Sequence, residues 1–197
     1  MTGSITIEPT RERLLTVAER LLLESGYDSV SVRAINAAAG ANPAAVHYHF
    51  GSKDGLVAAL LEERLAPVWQ DVLADVAQRR RGGWVPTVPE LVDVVLGPLV
   101  SLAADPVGWL RLHLLTRVLF AGRQLRWHSR WFTLAPWVEL LRAARPDLTD
   151  QEAAERWMLA FRLLLHVLGG RLTDAPGHPP APVDALRTFV VAGLDAR

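Results

Sequence analysis

The chain has 197 residues, 50% of them hydrophobic, and 21 basic residues are balanced by 21 acidic ones. That apolar content supports a true core and excludes a wholly disordered chain, while formal neutrality excludes attachment to nucleic acid by bulk charge. Cysteine is absent, which removes a disulfide framework, thiolate metal sites and a cysteine nucleophile.

In chain order, residues 1–8 read as a loose arm, with neither the basic start nor the apolar core of a signal peptide. Leu14, Val17, Ala18, Leu21 and Leu22 recur at helical spacing from Thr10 to Ser25, and Gly26 stops that helix. Ser31 then caps a short helix with Val32, Ile35, Ala38 and Ala39 on one face, and Gly40 ends it. Asn42 caps a third helix, with Pro43 at its first position, running to Phe50. Only Gly40 and Ala41 separate the two, so they cross steeply, in helix-turn-helix geometry. Small Ala44 and Ala45 let the start of the third helix approach a flat surface, and His47, Tyr48 and His49 follow as donors. The stretch from Ser29 to Lys53 holds Arg33 and Lys53 and no acid, a local sign that favours phosphate.

Ser52 caps a long fourth helix that carries Val57, Leu60, Leu61, Leu65, Val68, Val72 and Val76 to Arg81, with Pro67 expected to kink or split it. Arg79, Arg80 and Arg81 read as a solvated helix end. The fifth helix is expected over Glu90–Ala104 with a bend at Gly97-Pro98, and the sixth, capped by Asp105, over Pro106–Ala121. The seventh covers Trp127–Ala144, bent near Pro136. Thr149 with Glu152 makes a capping box for the eighth, which reaches Gly169-Gly170. A loop over 173–181 precedes a ninth helix, Pro182–Leu194. No alternating strand pattern or internal repeat appears, so the expected fold is all-α. Its first domain, 1–55, is a three-helix helix-turn-helix unit, and its second, 56–197, is a helical ligand-binding and dimerisation domain.

Gly26, Tyr27, Ser29, Ser31, Val32, Ile35, Ala39, Gly40, Val46, Tyr48, His49, Phe50, Ser52, Lys53 and Leu56 fall in one ungapped run. In these residues the chain resembles the TetR family of bacterial transcription regulators, over about Arg11 to Leu60. It departs at Asn36, where alanine is usual, at Ala41, where valine is usual, and at Pro43-Ala44-Ala45, which replaces a more polar stretch. The resemblance implies DNA contacts at Ser31, Arg33, Asn42, Ala44, Ala45, His47, Tyr48, His49 and Lys53. Ser31 and Lys53 suit phosphate and Tyr48 and His49 the sugar-phosphate backbone, while Asn42, Ala44, Ala45 and His47 are candidates to face base edges. No Arg or Lys projects from the third helix to read guanine, so DNA shape and a second subunit are expected to supply much of the specificity.

All seven tryptophans lie after this unit. Trp109, His113, Arg117 and Phe120 form one stripe on the sixth helix and Trp127 with Trp131 another on the seventh. Such stripes are ordinarily core. Trp109, His113, Thr116, Arg117 and Trp131 are nonetheless the expected lining of a pocket for an apolar molecule with one polar end. The resemblance implies that the last two helices pair with their mates in a four-helix bundle, and Trp157, Phe161, Leu164, Leu168, Leu186 and Val190 are the expected seam. His47 and His49 are two residues apart on a helix and point in different directions, so no shared metal is expected. No cofactor and no catalytic motif are expected either. The reading is a cytoplasmic homodimeric repressor that binds a double-stranded DNA operator and leaves it when a small-molecule effector binds. The alternative is a dimeric small-molecule-binding scaffold of the same fold without a specific operator.

Overall fold

The computed structural model describes residues 9–122, 126–170 and 182–196. The arm expected over 1–8 and the loop expected over 173–181 lie outside them. Every regular element among the described residues is helical: α1 (Thr10–Ser25), α2 (Val32–Ala38), α3 (Ala45–Phe50), α4 (Lys53–Arg81), α5 (Val88–Ala104), α6 (Pro106–Phe120), α7 (Ala135–Ala144), α8 (Asp150–Gly169) and α9 (Val183–Asp195). A single 3-10 turn, Arg130–Phe132, precedes α7. No single helix among them is long and apolar enough to cross a membrane.

Side-chain caps account for most helix starts. Ser31 accepts from the Ala34 amide, Ser52 from Gly55 and Asp105 from Gly108. Reciprocal capping boxes join Thr87 to Glu90 and Thr149 to Glu152. Because Glu90 takes the third helical position of that box, α5 begins at Val88 rather than at Glu90.

Three expectations about helices need correction. α3 starts at Ala45 rather than Pro43, because the Asn42 side chain accepts from the Ala44 amide at 2.9 Å and closes a separate turn first. α4 runs unbroken through Pro67, so that proline does not split it, and α5 likewise continues through Pro98. The segment expected as one helix over Trp127–Ala144 is a 3-10 turn followed by α7. Pro136 lacks the N–H that would bond the Phe132 carbonyl, and the Trp131 carbonyl is taken by the Trp137 indole at 3.0 Å.

One continuous core results. Leu14, Leu15, Ile35, Val46, Leu56 and Leu60 fill it among α1, α2, α3 and the first turns of α4, and Leu91, Leu112, Leu141, Trp157 and Leu164 carry it on among α5 to α8. α8 lies very close to α6 at Gly169, where a Cβ would stand 2.5 Å from the Thr116 hydroxyl. Ionic ties join the two halves: Glu19 of α1 accepts from Arg64 of α4 at 2.9 Å and from Arg111 of α6 at 2.6 Å. Arg64 also reaches Glu12 at 2.8 Å, and these carboxylates raise its pKa further above the ordinary arginine value.

Candidate nucleic-acid interface and ligand cavity

α2 has 7 residues and α3 has 6, too few for either to persist alone, so their placement depends on tertiary ties. The central one is Asn36, only 2% exposed. Its amide nitrogen donates to the Pro43 carbonyl at 2.6 Å, and its oxygen accepts from the Val46 amide at 3.2 Å, so one side chain fastens the turn and the start of α3 to α2. Sequence reasoning noticed Asn36 only as a departure from the usual residue. A buried-face position carrying an amide seven residues before a helix-opening proline was the available signal.

This fastening presents one polar surface. Arg33, Asn42, Ala44, His47 and His49 are exposed, and Tyr48 is 85% exposed with its ring edge-on to His49. His47 Nδ1 lies 3.2 Å from the Gly51 carbonyl; since a carbonyl only accepts, Nδ1 is the donor in that contact. Ser31 is exposed, with its hydroxyl oxygen capping Ala34. Two expected contacts are placed differently. Ala45 is buried at 7% exposure, because the turn delays α3 until its first residue already faces α2 and the core. Lys53 is half-buried: its ammonium donates to the Tyr27 carbonyl and lies 4.0 Å from the centre of the Tyr27 ring, tying α4 to the end of α1 instead of standing free toward phosphate.

The second half contains a cavity of 820 Å³. α4 supplies Trp69 and Leu73, α5 and α6 supply Leu99, Leu115 and Leu119, and the Trp127–Leu134 segment with Trp137 and Phe161 closes the far side. Ala66, Pro67, Gln70 and Ala74 are exposed along α4, so the cavity opens to solvent there. Of the expected lining only Trp131 is present. His113, Thr116 and Arg117 face a separate cleft of 330 Å³ beside Tyr27 and Asp28. Trp109 lines neither and stacks on His113 at 5.4 Å. Of the stripe on α6 only Phe120 borders the cavity, beside Leu115 and Leu119, which lie off the stripe. Thr116 bonds the Leu112 and Leu165 carbonyls and His113 bonds the Gly169 carbonyl at 2.7 Å, so the polar side of α6 holds α8.

Residues 14–60 match the family described as bacterial regulatory proteins, tetR family. The stretch from α1 to the start of α4 is thus similar to the tetR family. The HTH-type transcriptional regulator UidR of Escherichia coli K12 is 35% identical over 104 residues, which cover 51% of this chain and 46% of that protein. HTH-type BetI of Brucella anthropi is 36% identical over 75 residues, 38% of this chain and 39% of that protein. The chain thus spans less than half the length of these relatives. Over nearly its whole length it shares a fold with NalD of Pseudomonas aeruginosa, a repressor of a multidrug efflux pump, at TM-score 0.58 and 23% identity, covering 93% of this chain and 96% of that one.

The resemblance implied a dimer seam on α8 and α9, and the residues named for it lie as follows in the protomer. Trp157, Leu164, Leu168, Leu186 and Val190 are all buried within the protomer, and Phe161 is half-buried against Trp137 and the cavity. They hold α8 to α6, α7 and α9 of the same chain. Outward on this pair of helices stand Leu159, 65% exposed, and Phe189, 68% exposed, with Met158 beside the cavity. Apolar spacing locates a buried face and cannot say which of two faces a neighbouring chain would cover.

One buried carboxylate connects the cavity wall to α4, the helix that packs on α1 and α3. Glu62 of α4 is 8% exposed and accepts from the backbone amides of His128 and Ser129, each at 2.7 Å, with the His128 ring at 3.2 Å. The cavity wall that begins at Trp127 therefore hangs from the helix whose first turns complete the reader's core. Among the described residues, no group of three or more His, Asp or Glu side chains converges as a metal site.

Proposed function

We propose that the chain is a homodimeric, ligand-responsive transcription regulator that occupies a DNA operator and is released when a small molecule fills the 820 Å³ cavity. The observation that carries this reading is the surface made by Arg33, Asn42, Ala44, His47, Tyr48 and His49, which stands clear of the protomer and contains no acid. Arg33 supplies the phosphate contact, Tyr48 and His49 the sugar-phosphate contacts, and Asn42, Ala44 and His47 the base edges. Such a small surface binds tightly only in duplicate, on half-sites roughly 34 Å apart, which calls for a two-fold dimer. Exposed Leu159 and Phe189 give α8 and α9 an apolar face for that pairing.

Repression is the simpler outcome, since occupying an operator suffices for it while activation needs a further contact. An occupant of the cavity touches α4 directly at Trp69 and through the wall held by Glu62, and a difference in affinity between two α4 poses of about 1–3 kcal/mol is enough to change operator occupancy.

Selection from random duplexes with the purified protein tests the reader. One palindromic sequence should be enriched; Arg33→Ala should weaken all sequences alike and reduce the salt slope by about one, while His47→Ala relaxes preference at one base pair. Failure to enrich any sequence would favour the dimeric small-molecule-binding scaffold.

A further inference from the structure

We propose that the cavity takes a lipophilic carboxylate, with its apolar body among the tryptophans and its acid group at Arg162. This rests on reading the cavity as the effector site and goes further by fixing the sign of the ligand. The walls are overwhelmingly apolar and aromatic, which suits a hydrophobic body of drug-like size, and 820 Å³ lies within the roughly 300–1,000 Å³ of ordinary ligand sites. An aromatic lining alone does not choose between an acid, an alcohol and a cation, since ring faces attract cations and also pack on neutral chains.

The charged groups at the walls make the choice. Glu63 is the one acidic residue in the lining, and its carboxylate is already bound to Arg11 at 2.5 Å, with Arg11 also lying 5.4 Å from the Phe50 ring. An entering cation would have to displace that arginine. Its neighbour Glu62 is turned away, taken by the His128 and Ser129 amides. Arg162 of α8 is the other charged residue in the lining, exposed at the rim, and has no acidic partner among the described residues. The other polar groups do not supply a negative partner: the Thr133 hydroxyl donates to the Arg130 carbonyl at 2.6 Å, and the Gln70 amide is neutral. Among the described residues the lining therefore presents one charge without an opposite partner, positive and fork-shaped, which pairs with a carboxylate in two parallel hydrogen bonds while the chain or ring system behind it is buried.

Isothermal titration calorimetry of the full chain with decanoate, decanol and decyltrimethylammonium, three probes with the same tail and different heads, tests this. Decanoate should bind most tightly and decyltrimethylammonium least. Arg162→Gln should weaken decanoate by about fivefold and leave decanol unchanged, and Arg162→Glu should invert the order of the two ions. Because Arg162 is exposed, both variants should keep the wild-type melting temperature, which circular dichroism checks. Tightest binding by the cation, equal binding of all three heads, no binding of any probe, or decanoate affinity indifferent to Arg162 would each overturn the proposal. None of these results bears on operator selection, which is run without any probe, so failure here and failure of the regulator reading are told apart.

Discussion

The reader and the cavity domain treat their interiors in opposite ways. In the first, short helices close over a filled core and are pinned by polar side chains: Asn36 across the turn, Tyr27 to Asp54, and Lys53 to the Tyr27 carbonyl. In the second, longer helices surround an opening, and the polar groups sit behind the walls, as Thr116 and His113 do between α6 and α8. Hydrogen bonds are directional and fix atoms to within fractions of an ångström, which a surface that meets base edges requires. Aromatic packing is less directional and tolerates an opening whose lining forfeits contacts until something fills it. Under the proposed function, rigidity falls to the part that would read and incompleteness to the part that would respond.

The largest expected effect comes from filling lost in the wrong place. Trp157 is fully buried, stacked on Phe161 at 5.1 Å and against Trp137 at 5.7 Å, so Trp157→Ala should cost about 3–5 kcal/mol in urea unfolding. Trp157→Phe should cost far less, because the indole N–H it removes has no partner among the described residues. Next is the reader's pin. Asn36→Ala strands the buried Val46 amide while the Pro43 carbonyl can turn to water, a loss of about 1–3 kcal/mol. Operator binding should fall more than stability does, and a variant that keeps full binding would break the contrast drawn here.

The tie between the halves should show locally rather than globally. Glu62→Ala removes the acceptor of the His128 and Ser129 amides, whose hydrogen exchange should quicken roughly tenfold while the amides of α1 keep their protection. The smallest effect is at the far end. Arg145 donates to Asp147 and so holds that carboxyl at about 2, below its ordinary 3.8, and also grips Asp195 at the end of α9. A depressed carboxyl stabilises above its unfolded value, so this contribution is complete above pH 4 and lost as pH falls through 2. The difference in melting temperature between wild type and Arg145→Gln should shrink over that window.

Features set by neighbours in the chain were legible in advance. The Thr149 and Glu152 box, the Ser31 and Ser52 caps and the stop at Gly26 each depend on residues within four positions, and each lies where expected. Asn36 was visible and its task was not, since one of its partners is a backbone carbonyl seven residues away that becomes its neighbour only once α2 and α3 have crossed. The same gap separates stripe from pocket on α6. Spacing groups Trp109, His113 and Arg117 on one face, but the placement of α8 decides that His113 and Arg117 face the smaller cleft and that Leu115 and Leu119 border the cavity. Ala45 illustrates the finest grain: a turn two residues long moves a side chain expected on the surface into the core.

Four of the seven tryptophans, Trp69, Trp127, Trp131 and Trp137, border the cavity. Indole emission shifts to the blue and changes in yield when water beside the ring is replaced by hydrocarbon, so the chain signals its own occupancy by the colour of its fluorescence. An unlabelled sample can therefore be screened against mixtures of metabolites, with the light it emits naming the fraction to fractionate next.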